Sequence, residues 1–95
     1  MNSVFEQFEE AYSRWSMLDK VGKEMQIDSM WQHLCITYNH IILVWQSRGY
    51  LTTYEYNYKN QIYQLLLSLK NQKMIVDKQL NDEMMKHLVK MIAKK

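Results

Sequence analysis

Five apolar side chains open the chain in helical register. Phe5, Phe8, Tyr12, Trp15 and Leu18 follow one another at spacings of 3, 4, 3 and 3. That rhythm keeps all five on one face of an α-helix, and Glu6, Glu9, Glu10 and Arg14 fall largely on other faces. The early glutamates also suit the positive end of a helix dipole. The spacing predicts a helix from Asn2 to Leu18. It ends where a charged stretch, 19–27, surrounds Gly22.

The next segment has a different character. From Ser29 to Ser47 the chain runs for 19 residues without a charge. Trp31, Leu34, Tyr38, Ile41 and Trp45 recur at 3, 4, 3 and 4, and Ile36, Leu43 and Val44 cover another side. A helix apolar around most of its circumference belongs at the centre of a bundle, so Ile41 and Trp45 are expected to be buried. Ser29 with Gln32 fits a capping box at its start. Gly49 stands where a left-handed cap would close it. Length and flanking tryptophans would also suit a membrane span. However, Gln32, His33, Asn39, His40 and Gln46 would each need a partner inside lipid, and no membrane insertion is expected.

Tyr58, Ile62, Leu65 and Leu69, at 4, 3 and 4, predict a third helix over 53–71, with Leu66 beside them and a capping box of Thr52 and Glu55. Tyr54, Tyr56 and Tyr58 alternate as a strand would, but the box and the longer stripe favour helix. The link 73–80 reads as brief strand or helix. A last helix is expected from Asn81, its cap, with Leu80 and Met85 as a hydrophobic staple. Met84, Leu88, Met91 and Ile92 form its apolar face. Lys86, Lys90, Lys94 and Lys95 load its C-terminal end, as the dipole favours.

Composition sharpens this picture. The chain has 95 residues, 47% of them hydrophobic, with two glycines and no proline. One domain over 1–95 is expected. A sandwich or barrel needs turn residues about every 8–12 positions, and two glycines cannot supply them. The expected fold is all-α: a compact four-helix antiparallel bundle with residues 29–48 as its buried central helix. Cys35 is the single cysteine and cannot form an internal disulfide. The first residues carry neither a basic region nor a long apolar run, so a cytoplasmic location is the default. The net charge of +2 is unevenly spread. Residues 1–31 carry three Lys/Arg against six Asp/Glu, a net of −3, and residues 73–95 carry six against three, a net of +3.

Little of this supports catalysis. His33 and His40 would lie ~10 Å apart along a helix at ~1.5 Å per residue, too far to share a zinc ion. His33 and Cys35 would point to different sides. Cys35 sits among apolar neighbours, where a thiol is usually inert, and Glu83 with His87 reads as a surface pair. Two isolated glycines build no phosphate loop. No catalytic residue, metal or cofactor is expected, and the chain reads as a non-enzyme.

Nucleic-acid binding is the alternative. Gln46–Glu55 reads as helix, glycine turn and capped helix. The run 49–59, GYLTTYEYNYK, followed by Ile62, resembles the glycine-leucine-threonine hairpin of short bacterial helix-turn-helix modules of the SHOCT type. The resemblance covers about 14 residues, and it implies a capped αα-hairpin, as such hairpins share this string. The stretch 62–76 resembles a winged-helix recognition helix running into a hairpin, with Asn71-Gln72 where such proteins usually have glycine. Asn57, Asn60, Gln61 and Gln64 are types that read base edges. Lys59 and Lys70 are the only cations nearby, and phosphate neutralisation dominates affinity for DNA. A second alternative is a bacteriocin-immunity type of bundle, similar in size and helix count.

Interface-forming side chains are abundant. Tyr50, Tyr54, Tyr56, Tyr58 and Tyr63 cluster in one stretch, and the chain holds eight methionines and three tryptophans. Tyr, Trp and Met are enriched at protein interfaces, and methionine adapts to a partner's shape. The function expected is that of a small regulator or inhibitor that docks an aromatic and Met-rich helical surface, centred on those tyrosines, on another protein. The Lys-, Asn-, Tyr- and Ile-rich composition fits an AT-rich bacterial, phage or mobile-element genome. A homodimer is also expected, with Glu6, Glu9 and Glu10 of one copy facing Lys90, Lys94 and Lys95 of the other.

Overall fold

The computed structural model describes residues 3–93. It is all-α, with five helices among the described residues: α1 Val4–Ser16, α2 Lys20–Met25, α3 Ile27–Arg48, α4 Thr53–Asn71 and α5 Lys78–Leu88. The four expected helices are present. The addition is α2, inside the charged stretch where only a chain break is expected from sequence. Asp19 makes it a helix: its carboxylate accepts the Gly22 amide at 2.7 Å, the bond an N-cap supplies. The start expected at Asn2 and the lysines at 94 and 95 lie outside the described residues.

Capping chemistry sets the other helix ends. The Ser3 hydroxyl accepts the Glu6 amide at 3.2 Å. Thr52 and Glu55 form the expected reciprocal box at the head of α4. Two other assignments are corrected. Ser29 and Gln32 do not cap α3, which begins at Ile27 with no side-chain cap at all. It follows α2 through the shared residue Gln26, so the chain bends there and needs no fresh start. Nor does Asn81 cap α5. Asp77 does, accepting the Leu80 amide at 3.0 Å, and Asn81 is wholly buried one turn on. The link 73–80 is therefore turn followed by helix. Lys73 adopts a left-handed φ of 58°; its amide donates to the Lys70 carbonyl at 3.3 Å and that of Met74 to the Leu69 carbonyl at 2.8 Å, the paired bonds of a Schellman ending.

At the end of α3, Gly49 takes φ 81° and donates to the Trp45 carbonyl at 2.7 Å. A left-handed residue here favours glycine, because a Cβ would lie close to the following carbonyl oxygen. The chain turns back into α4 through Leu51, which is fully buried. Its amide donates to the Ile92 carbonyl at 3.0 Å, pinning the segment after α5 to the hairpin. Leu51 and Ala93 form an isolated bridge, and the described residues contain no strand.

The core gathers Phe8 of α1, Leu34 and Ile41 of α3, Ile62, Leu65, Leu66 and Leu69 of α4, and Met84 and Leu88 of α5, all without exposed surface. The helix α3 packs along α1 and also meets α2 and α4, while α5 lies on α4. Tyr38 ties α3 to α5, its hydroxyl 2.7 Å from His87 Nδ1. The central position of α3 agrees with expectation, but burial all round does not. Ile41 is inaccessible and Trp45 only half-buried. Ile36 and Leu43 stand open at 58% and 66% exposure. A charge-free run is not the same as an apolar one: Ser29, Gln32, Asn39, Gln46 and Ser47 make one side of α3 wettable. No helix among the described residues is long and apolar enough to cross a membrane.

Candidate docking surface

The five tyrosines proposed as a docking patch do not share a face. Tyr58 belongs to the core: its ring stacks on Phe5 at 4.8 Å, and its hydroxyl donates to the Glu9 carboxylate. That bond, with burial and the adjacent Tyr54, holds the phenol well above its ordinary pKa. Tyr54 is exposed and meets both Phe5 and Tyr58 edge-on. Tyr56 is half-buried, with the Lys59 ammonium 4.3 Å over its ring. Tyr50 lies against the Arg48 guanidinium at 5.2 Å. Tyr63 packs partly against the core. Their consecutive spacing in sequence winds them around a helix and its preceding turn, so they serve several environments.

The residues of the DNA alternative are also placed differently from a reading head. Lys59 is buried. Asn57 is exposed, and Asn60, Gln61 and Gln64 line a groove of about 480 Å³ opposite Glu9, Tyr12, Ser13 and Ser16 of α1. That groove offers a phosphate backbone a carboxylate and no cation. The segment 71–76 forms no hairpin.

Four exposed apolar side chains fall close together in sequence at the elbow between α1 and α3. No residue of α2 is buried. Met17 and Met25 are 84% and 77% exposed, and Leu18 and Val21 are exposed beside them. Val21 and Met25 stand four apart on α2 and share one side of it, while Leu18 precedes the Asp19 cap. Trp15 anchors this elbow. Its indole N–H donates to the Lys23 carbonyl at 3.1 Å, and the Lys23 ammonium lies 5.3 Å over the ring. Beside it, between α1 and α3, opens a cavity of about 330 Å³ with Ala11, Trp15, Leu18 and Met30 as apolar walls. Arg14 and His33 also line it, with no carboxylate among the lining residues. The sequence signal for this surface is Leu18-Val21-Met25 in helical register, extending the α1 stripe beyond the helix that contains it.

The remaining reactive groups are held quietly. Burial, aided by the charge of Asp77, raises the Cys35 thiol above its ordinary pKa, the wrong direction for a nucleophilic thiolate. Tyr38 is likewise raised by burial and by Glu83. His87 bonds to Tyr38, while Glu83 accepts from Gln79 at 3.4 Å, so the expected Glu83–His87 pair is not formed. His40 meets the Phe5 ring edge-on at 5.2 Å, and His33 lines the elbow cavity. Among the described residues no three His, Cys, Asp or Glu side chains come together as a metal site. No family model, no curated protein and no solved structure matches this chain.

Proposed function

We propose that this chain is a small protein-docking module, a regulator or inhibitor without catalysis of its own, and that the Met-rich elbow is the surface it presents. The observation that carries this reading is α2: a helix that buries none of its residues while holding Val21 and Met25 in water. Scattered single apolar residues on a surface need no explanation, but a contiguous group marks a contact site. The Met17 and Met25 side chains can reshape to fit what lands on them. The cavity beside Trp15 is of a size to receive one side chain of the partner, with Arg14 and His33 at hand for an acidic or carbonyl group.

The test compares capture by the native protein with capture by a Val21→Glu/Met25→Glu variant, using lysate of the natural host. A partner held by the native chain and released by the variant, with thermal stability unchanged, is the expected outcome. Equal capture of the same partner by both would move the docking surface away from the elbow. The DNA alternative predicts nanomolar, sequence-specific duplex binding abolished by changing Asn60 and Gln64. Duplex binding no better than ~10⁻⁴–10⁻⁶ M at physiological salt, the non-specific range, is expected here.

A further inference from the structure

The open side of α3 carries one order of chemistry from Gln32 to Gln46. Gln32, Ile36, Asn39, Leu43 and Gln46 are all exposed, and they alternate amide, aliphatic, amide, aliphatic, amide. Spacings of 4, 3, 4 and 3 hold them in a single stripe of an α-helix. Between Gln32 and Gln46 the stripe bears no charge, and Asp28 stands exposed one turn before it. By contrast, the exposed positions of α1 include Glu6, Glu9, Glu10 and Arg14, and those of α5 include Lys78, Asp82, Glu83 and Lys86.

The stripe is also close to a palindrome. Gln32 and Gln46 each stand seven residues from Asn39, and Ile36 and Leu43 stand three and four residues from it. A twofold contact needs that arrangement, because residue i of one copy must meet residue j of the other while j meets i. We propose that this face of α3, centred on Asn39, is where two copies of the chain pair, with their α3 helices antiparallel. Asn39 then meets its own symmetry mate, Ile36 covers Leu43 of the second copy twice over, and Gln32 meets Gln46.

Chemistry favours a second copy over a different protein. A primary amide carries donors and acceptors together, so an amide is a satisfactory partner for another amide. A charged surface laid on this stripe would lose water and find no counter-charge. Two aliphatic residues per copy give a small apolar centre, so the contact belongs to the weak end of the interface range. A central Asn pair fixes register more than it adds affinity. The pairing is independent of the elbow, which lies outside the stripe. It differs from the pairing of acidic α1 with Lys90, Lys94 and Lys95, of which the last two lie outside the described residues.

Sedimentation equilibrium and site-directed cross-linking test the proposal together. The mean mass of the native protein should climb from 11.6 kDa toward twice that value as loading rises from micromolar to near-millimolar. Ile36→Glu/Leu43→Glu should stay monomeric, and both changes lie at exposed positions, so circular dichroism should report an intact fold. In a Cys35→Ser background, Asn39→Cys should link to itself with a short bismaleimide. Gln32→Cys and Gln46→Cys should link efficiently only when mixed. A native protein that remains at 11.6 kDa at every loading would overturn the proposal, as would a dimer that survives the double glutamate variant. Self-linking of Gln32→Cys as efficient as that of Asn39→Cys would overturn the antiparallel register.

Discussion

The α3–α4 hairpin and the α1–α2 elbow are both short junctions between helices, and both hold apolar residues beside a capping side chain. The hairpin sends its apolar residue inward: Leu51 has no exposed surface, Gly49 supplies the left-handed step, and Thr52 and Glu55 close the next helix. The elbow has an equally good cap in Asp19, yet Leu18, Val21 and Met25 face water. Local chemistry builds the helix end in each case. Whether the apolar residue is buried or left in water depends on what the rest of the chain lays over it. The segment after α5 lies over Leu51, and among the described residues none buries a side chain of α2.

Four variants sharpen that contrast, in descending order of effect. Leu51→Ala should lower unfolding free energy by about 2–5 kcal/mol in urea denaturation, as loss of a fully buried leucine does. A cost below about 1 kcal/mol, the size of an ordinary surface or cap change, would show that the hairpin is not anchored there. Gly49→Ala meets no atom within 4 Å, so only backbone strain opposes it. A loss of about 1–2 kcal/mol is expected from the left-handed penalty.

Glu55→Gln keeps the reciprocal cap geometry and removes a charge. Burial would raise the Glu55 carboxyl, but the Thr52 amide, the Arg48 guanidinium and the Thr52 hydroxyl outweigh it and hold the group below its usual range. A group depressed in the folded state stabilises above its unfolded pKa, ~4.3 for glutamate, and that contribution fades as pH falls through the folded value. The native protein should exceed Glu55→Gln in stability by about 0.5–1 kcal/mol at neutral pH, the scale of a partly exposed pair. The gap should close as urea titrations are repeated toward low pH, and a constant gap would remove the carboxylate from the account. The smallest effect belongs to the elbow: Val21→Ser/Met25→Ser should move stability by less than about 0.5 kcal/mol, as surface changes do. A larger loss would mean that α2 is structural after all.

Several elements were legible from the order of residues. The α4 boundaries follow from the Thr52–Glu55 box and the stripe through Leu69, because cap and periodicity agree. The tyrosine patch was not, although Tyr58 stands at the head of that same stripe, four residues before Ile62. A residue in the core register cannot also line a free surface. Asn81 shows the converse. Its polarity resembles a cap, but its spacing of 3 and 7 to Met84 and Leu88 puts it on the buried face, where its Oδ1 finds no partner. Register outweighs residue type in both cases. The open side of α3 was hidden for a third reason: absence of charge does not distinguish a surface that faces the interior from one that faces water.

The bond from the Leu51 amide to the Ile92 carbonyl has a further consequence. It is a backbone link, beside the Leu51–Ala93 bridge, that ties the middle of the chain to the segment beyond α5. Its opening needs only that segment to peel away, not the helices to separate. Hydrogen exchange at this one amide therefore times the undocking of the tail. Amides within α3 and α4 exchange only through larger openings, which lie higher on the ladder of partial unfolding. A single nuclear resonance thus becomes a clock for the looser part of the molecule, read against the slower one ticking inside its core.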